Sequence, residues 1–346
     1  MALVVSFDTF VAIKFESAAE TPYRESSLPG DPTLVSNFGA AWGSAAFLPL
    51  SGEESMSSVM NFASLPVPEM TMEENRTQTF AKSAEGGLPI IVPPGLLGGG
   101  TDPYSGFNIR DWVYTRYNGT GTTGVDANNQ CRSATVWIRV GDFMKRFVGV
   151  KIGQADFQIN KAQPLIINLN ARAFGEEVVA VQSFSAPSWW SNAVYGGDYT
   201  RLRIGDDQIT TPSATMTETA NVDSTSFSIN NMLDDDPHRL WDSPFPRRMY
   251  NRNREVTGSF EADLLSSSEY TRFLAQTLSA FEIRVSRKIG ASTYQSTMLL
   301  PRIRYESVGG VVAAGQKSEL RKQSPTFKAL GGITGLDADA NAIRWA

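Results

Sequence analysis

Strict alternation of apolar and polar side chains between Asn221 and Tyr305 constrains this chain more than any other feature. Thr225, Phe227 and Ile229 put the apolar side on odd positions, and Ser224, Ser226 and Ser228 fall between them. Val256, Gly258, Phe260, Ala262 and Leu264 then alternate with Thr257, Ser259, Glu261 and Asp263. A period of two sends successive side chains to opposite faces of an extended backbone, so both stretches read as half-buried β-strands. Phe281, Ile283 and Val285 against Glu282, Arg284 and Ser286 read the same way, and Thr297 to Tyr305 supplies one more strand. Between them, Ser266 and Glu269 have the spacing of a capping box, in which each satisfies a free amide at a helix start. Behind it Tyr270, Phe273, Leu274, Leu278 and Phe281 recur at three- and four-residue spacing. This predicts a helix over 266–280 that packs its Tyr270, Phe273, Leu274 and Leu278 face on the sheet.

The region 151–175 repeats the pattern as a hairpin. Ala155, Phe157 and Ile159 share one face, and Leu165, Ile167, Leu169, Ala171 and Ala173 alternate with Ile166, Asn168, Asn170 and Arg172. The match to the later strand pair is one of pattern, not of sequence identity. The connections differ. The first pair is joined by a few residues around Pro164, the second by Asn231 to Glu255. A connection that long inside a hairpin tends to be functional. It carries Asp234, Asp235 and Asp236, then Trp241, Phe245, Arg247, Arg248, Tyr250, Arg252 and Arg254, with Pro237, Pro244 and Pro246 among them. Both signs of charge, aromatic anchors and stiffening prolines suit docking against another subunit. These ten charged and aromatic residues are therefore the expected subunit-interface set. The alternative is a surface loop folded on its own domain.

The rest of the chain is less regular. Val11 to Phe15 reads as a short strand. Residues 29–68 are rich in Gly, Pro, Ser and Ala but hold Phe38, Trp42, Phe47 and Phe62. That suits either an arm packing on a neighbouring chain or a domain's own irregular edge. Val67 to Phe80 reads as a strand region, Gly86 to Gly106 as loop, and Asp111–Tyr117 with Ala134–Val140 as paired strands. Gly119, Gly121 and Gly124 form a GxGxxG string, but a strand rather than a helix follows, so it reads as a hairpin loop and not a dinucleotide site. After Tyr305 the chain turns at Gly309-Gly310 and ends as an arm holding Trp345. The expected division is an N-terminal arm and long loop at 1–68, a β domain at 69–310, and a C-terminal arm at 311–346.

Composition closes off most chemistry. With a net charge of −5, the chain as a whole is not built to grip nucleic acid. The lone cysteine, Cys131, cannot form a disulfide within one chain, which implies a reducing place of synthesis or indifference to redox. No apolar run approaches the ~20 residues of a membrane span, and the start lacks the basic and apolar regions of a signal peptide. The single histidine, His238, leaves little for zinc or Ser-His-Asp chemistry. Asp234–Asp236 lack the alternation of a calcium loop, and Pro237 and Arg239 interrupt it. The run from Arg247 to Arg254 can meet phosphate, but the nearby aspartates favour pairing with another subunit. No cofactor, metal site or catalytic set is expected.

Several stretches taken together carry a resemblance: AIKFESAAETPY and LPVPEMTMEENRTQTF near the start, then GVKIGQADFQI and LIINLNARAFG, then TSFSINNMLDDDP, REVTGSFEADLLSSSEYTRFLAQTLSAFEI and TMLLPRIRYESVGG. The chain resembles the major tail tube proteins of tailed bacteriophages, most strongly over 224–310. The resemblance implies a mainly β fold, a tail-tube-like β-sandwich or barrel with one flanking α-helix, long loops and N- and C-terminal arms. It implies a structural virion protein and not an enzyme, made in the bacterial host cytoplasm and resident in the phage tail. Its partners would be copies of itself in stacked rings, usually hexameric in that family, the tape-measure protein, and the tail terminator and tip proteins. DNA would pass through without specific binding, along a lumen of acidic or neutral polar side chains. A different class of reading is a carbohydrate-binding or adhesive β-sandwich module of a virion or cell surface; an enzyme ranks third.

Overall fold

An alternating strand leaves backbone donors and acceptors along both edges, and these must be paired when the strand is buried. In the computed structural model of the chain, every strand pairing among the described residues is antiparallel. The structure describes residues 9–16, 45–48, 50–52, 54–64, 77–93, 96–97, 109–113, 116–117, 122–123, 133–182, 200–206, 216–218, 222–233, 249, 254–263, 268–289, 291–310, 322–330 and 344–345. Among them the strands are β1 (Thr9–Phe15), β2 (Ala46–Leu48), β3 (Ser57–Ser64), β4 (Thr77–Ile91), β5 (Arg116–Tyr117), β6 (Thr122–Thr123), β7 (Ala134–Val140), β8 (Phe143–Asn160), β9 (Ile166–Ala173), β10 (Gly175–Val178), β11 (Thr200–Asp206), β12 (Thr217–Glu218), β13 (Val222–Asn230), β14 (Glu255–Asp263), β15 (Ser279–Ile289), β16 (Ser292–Gly310), β17 (Lys322–Ala329) and β18 (Arg344–Trp345). The fold is mainly β.

The main path of the sheet runs β12-β11-β15-β16-β17-β14-β13-β8-β7-β1-β2. The long strand β8 is its junction. Its first half lies between β7 and β10, and its second half lies between β13 and β9, which continues to β4 and β3. The sheet is strongly curled. Phe260 on β14 and Phe281 on β15 lie three strand positions apart, about 14 Å in a flat sheet, yet their ring centroids are 5.8 Å apart. Inside the curl, Phe157 stacks on Phe227 at 4.2 Å. The next strand offers Gly258, and the one after it Phe327, whose ring leans over that glycine. A Cβ at Gly258 would stand 2.5 Å from the ring, so only glycine fits. Each phenylalanine removed from water here contributes roughly 2–3 kcal/mol.

Both alternating pairs are confirmed, β8 with β9 and β13 with β14, with Thr225, Phe227, Ile229, Val256, Phe260 and Ala262 buried. Elsewhere the structure corrects the sequence. Gly86 to Ile91, expected as loop, belong to β4 and pair with β9. Gly86 is there because the backbone passes so close to Ser55 that a Cβ would lie 2.4 Å from its carbonyl oxygen. Asp111 to Val113 are not strand: Ile109–Val113 is a short helix. Ile109, Trp112 and Val113 share one buried helical face, and the Trp112 indole N–H donates to Val150 O at 3.1 Å. Ala134–Val140 therefore pairs with β1 and β8 instead, while Arg116–Tyr117 pairs with Thr122–Thr123 around part of the glycine string. Within 29–68, β2 and β3 join the chain's own sheet. Within 311–346, β17 lies between β14 and β16, with Phe327 fully buried.

The second helix spans Ser268–Leu274, shorter than the predicted 266–280. It ends in a Schellman arrangement: Thr277 N donates to Arg272 O, Gln276 N donates to Phe273 O, and Gln276 takes the left-handed conformation at φ 53°. From Ser279 the backbone is claimed by ladders with β16 and β11. The predicted face is only partly used. Phe273 packs against the core, but Tyr270 is 50% and Leu274 64% exposed.

Candidate assembly elements

The loop between β13 and β14 starts and ends at one place, because Asn230 faces Glu255 in the ladder. Its base is locked by Asn231, which is buried. The Asn231 backbone N–H donates to Gly153 O at 2.7 Å. Its side-chain nitrogen donates both hydrogens, to Val113 O and Ile152 O at 2.9 Å each. Its side-chain oxygen accepts from Arg254 Nε at 2.9 Å. One amide thus ties both ends of the loop to β8 and to the helix Ile109–Val113. Met232 follows in the left-handed region at φ 46°, with its N–H donating to Asn230 Oδ1. Leu233 and Met249 are buried, and Met249 O accepts from the buried Lys151 Nζ at 2.9 Å.

Of the expected interface set, Arg254 is placed, at the loop base. Asp234, Asp235, Asp236, Trp241, Phe245, Arg247, Arg248, Tyr250 and Arg252 lie outside the described residues, as does His238. Asn231, Lys151 and Met249 escaped sequence reading. The Asn230-Asn231 pair carries a visible signal, since it is where the alternation stops, but it reads equally as an ordinary turn.

A second buried polar anchor follows the end of β1 and reaches across β7 to β8. The Glu16 carboxylate accepts from Ser133 Oγ at 2.5 Å, Thr135 Oγ1 at 2.8 Å and Gly149 N at 2.8 Å. Burial pushes this carboxyl's pKa above its ordinary value, and these hydrogen bonds and the Lys151 charge only partly oppose that. Among the described residues, large apolar side chains are exposed in three places. Val140, Phe143, Val178 and Val181 lie around the Gly141-Asp142 turn at the end of β7 and β8; Tyr270 and Leu274 lie on the helix; Met232 lies at the loop mouth.

Among the described residues no group of His, Cys, Asp and Glu is arranged to hold a metal ion, and no helix is long and apolar enough to cross a membrane. The family described as phage tail tube protein matches residues 11–341. The chain belongs to that family. As a phage tail tube protein it is a structural component of the virion tail, and its mainly β architecture agrees with that membership. The match takes in every described strand from β2 to β17, including the stretches that precede and follow the alternating region. A search of curated proteins finds no match to this tail tube protein.

Proposed function

We propose that this chain is the major tail tube subunit, which self-assembles into stacked rings, hexameric in the family pattern, around a channel that conducts phage DNA to the host. The observation that carries the reading is the family match over nearly the whole chain. The role is structural and not enzymatic. The partners are further copies of the chain, the tape-measure protein and the tail terminator and tip proteins. Synthesis takes place in the host cytoplasm, before incorporation into the tail. Negative-stain microscopy of the purified protein tests this directly: rings or tubes are expected, and a monodisperse monomer under all assembly conditions overturns it.

Within this reading the 231–255 loop is an assembly element, and Asp234–Asp236, Trp241, Phe245, Arg247, Arg248, Tyr250, Arg252 and Arg254 form its contact set. Support comes from its clamped base, which presents the excursion from a fixed platform and lowers the entropy lost on docking. Replacing residues 236–247 by a short Gly-Ser turn keeps Asn231, Leu233, Met249 and Arg254. The expected product has a normal unfolding midpoint and forms no long tubes. Wild-type tube growth from that variant would end the assembly role of the loop.

A further inference from the structure

We infer that the outward corner built by β11, β15 and the start of β16 is a receiving surface for carboxylates, and that its occupant is the Asp234–Asp236 run of a neighbouring copy; this rests on the reading of the 231–255 loop as an assembly element and names what that loop meets.

Phe281, Ile283 and Val285 are buried in the core, so Glu282, Arg284, Ser286 and Lys288 take the other face of β15. The ladder with β11 sets Arg203 opposite Glu282 and Arg201 opposite Arg284. Register places Glu218 and Arg344, of opposite charge, at the two ends of the Glu282 row. The rows beyond Arg284 cross Ser286 with Gln295 and Lys288 with Thr293. From Ile283 to Tyr305 the chain carries Arg284, Arg287, Lys288, Arg302 and Arg304 and no Asp or Glu, although its net charge is −5.

The corner is preformed. Glu282 is fully buried, and its Oε1 takes both Arg203 Nη1 at 3.0 Å and Arg284 Nη2 at 3.3 Å, while Arg203 Nη2 donates to Met216 O at 3.2 Å. Met216 packs with Ala280 and Leu299 and closes this end of the rows. At the open end Arg201, Lys288, Thr293 and Gln295 are exposed, and the Arg284 side chain is 31% exposed. Among the described residues Lys288 has no ion pair, and Arg284 has none besides Glu282. Arg201 and Arg284 stand directly opposite each other, and like charges so placed repel. A carboxylate set between them relieves that repulsion and meets a guanidinium that Glu282 already holds in place.

Asp234–Asp236 is the chain's one run of three carboxylates. It starts next to Leu233, buried at the loop base beside β8, and at most about 11 Å of chain leads on to Asp236. β15 lies five strands from β8 along the sheet, roughly 24 Å, and the core that the curl encloses separates their outward faces. The corner therefore meets the aspartates of another copy. A loop on one side and a sheet corner on the other make a head-to-tail contact, the kind that closes into rings. The chain's net negative charge opposes a long polyanion at this corner more than three carboxylates presented from a clamped base.

Charge exchange tests the pairing. Asp235→Arg and Arg284→Asp are made singly and together, tube growth is followed by light scattering, and unfolding midpoints of the unassembled chains check the fold. Each single variant should slow growth about tenfold or more at low salt, and the double variant, with the signs exchanged, should recover most of the rate. If Arg284→Asp unfolds the subunit by stranding Glu282, Lys288→Asp, at an exposed position, takes its place in the same cycle. Single variants that grow like wild type, or a double variant no faster than the slower single, overturn the inference. If Asp235→Arg and the 236–247 replacement block growth while the corner variants do not, the loop remains an assembly element and only the pairing falls. Corner variants that assemble normally but lose binding to a short DNA duplex make the corner a phosphate contact, which also overturns the pairing. A wild-type chain that forms neither rings nor tubes overturns the loop reading and the pairing together.

Discussion

The β8–β9 and β13–β14 hairpins have the same alternation and are organised differently. In the first, Phe157 faces Ile167 and the pair fills its own share of the core. In the second, Phe227 faces Gly258, and the missing volume is supplied by Phe327 from a strand more than sixty residues further along the chain. The first closes through Lys161–Leu165, with Ala162 in the left-handed region at φ 57°. The second opens into the long loop, whose base is held by the neutral amide of Asn231. Three positions from Ile152 along the same strand the anchor is instead a carboxylate, Glu16, bonded to Gly149 N. One hairpin is therefore nearly self-sufficient, and the other is completed by distant parts of the chain.

If that contrast is right, the largest effect should come from the loop anchor. Asn231→Ala strands the Val113 and Ile152 carbonyls and Arg254, and should destabilise the subunit by about 2–4 kcal/mol. Urea unfolding of the monomeric subunit measures it, and a change below about 0.5 kcal/mol would show that the loop base is held by something else. Gly258→Ala comes next. Its Cβ enters the Phe327 ring, and overpacking of this kind costs about 1–3 kcal/mol. Pairing it with Phe327→Leu should recover part of the loss, a coupling that a double-mutant cycle reads directly.

The two anchors also differ in titration. Burial raises the folded-state pKa of Glu16 above its unfolded value. Its contribution to stability is therefore fully present below the ordinary carboxylate pKa and is lost as pH rises through the raised one. Glu16→Gln should flatten that part of the stability–pH curve, whereas Asn231→Ala should lower the curve without changing its slope. Unfolding midpoints from acid to neutral pH compare them. The smallest effect belongs to the tight turn. Ala162→Gly removes left-handed strain and should stabilise by up to about 1 kcal/mol, less the extra entropy of an unfolded glycine. No comparable gain is expected at Met232, whose strained backbone is held by Asn230.

Alternation by itself determined that this protein is a β-sheet structure and which side of each of these four strands faces the core. A side-chain period of two leaves no other way to bury Phe227, Ile229, Phe260 and Leu169 together. Family resemblance was legible too, because it rests on the same patterned stretches. Partners were not legible. Periodicity says that a strand has a buried face but not which strand lies beside it, so β17 between β14 and β16 was invisible. So was the close approach of Ser55 that places Gly86 in a strand. Asp111–Tyr117 could alternate as a strand, but Ile109, Trp112 and Val113 also have helical i, i+3, i+4 spacing, and the burial of Trp112 with its bond to Val150 O goes with the helix. The predicted helix overran for the same reason: Phe281 fits both periods, and the ladder with β16 decided for strand. Of the loop, the sequence marked the place and the charges. That a single buried asparagine holds its base was decided by tertiary structure alone, since hydrogen bonds from one amide to residues 79 and 118 positions away leave no trace in a local pattern.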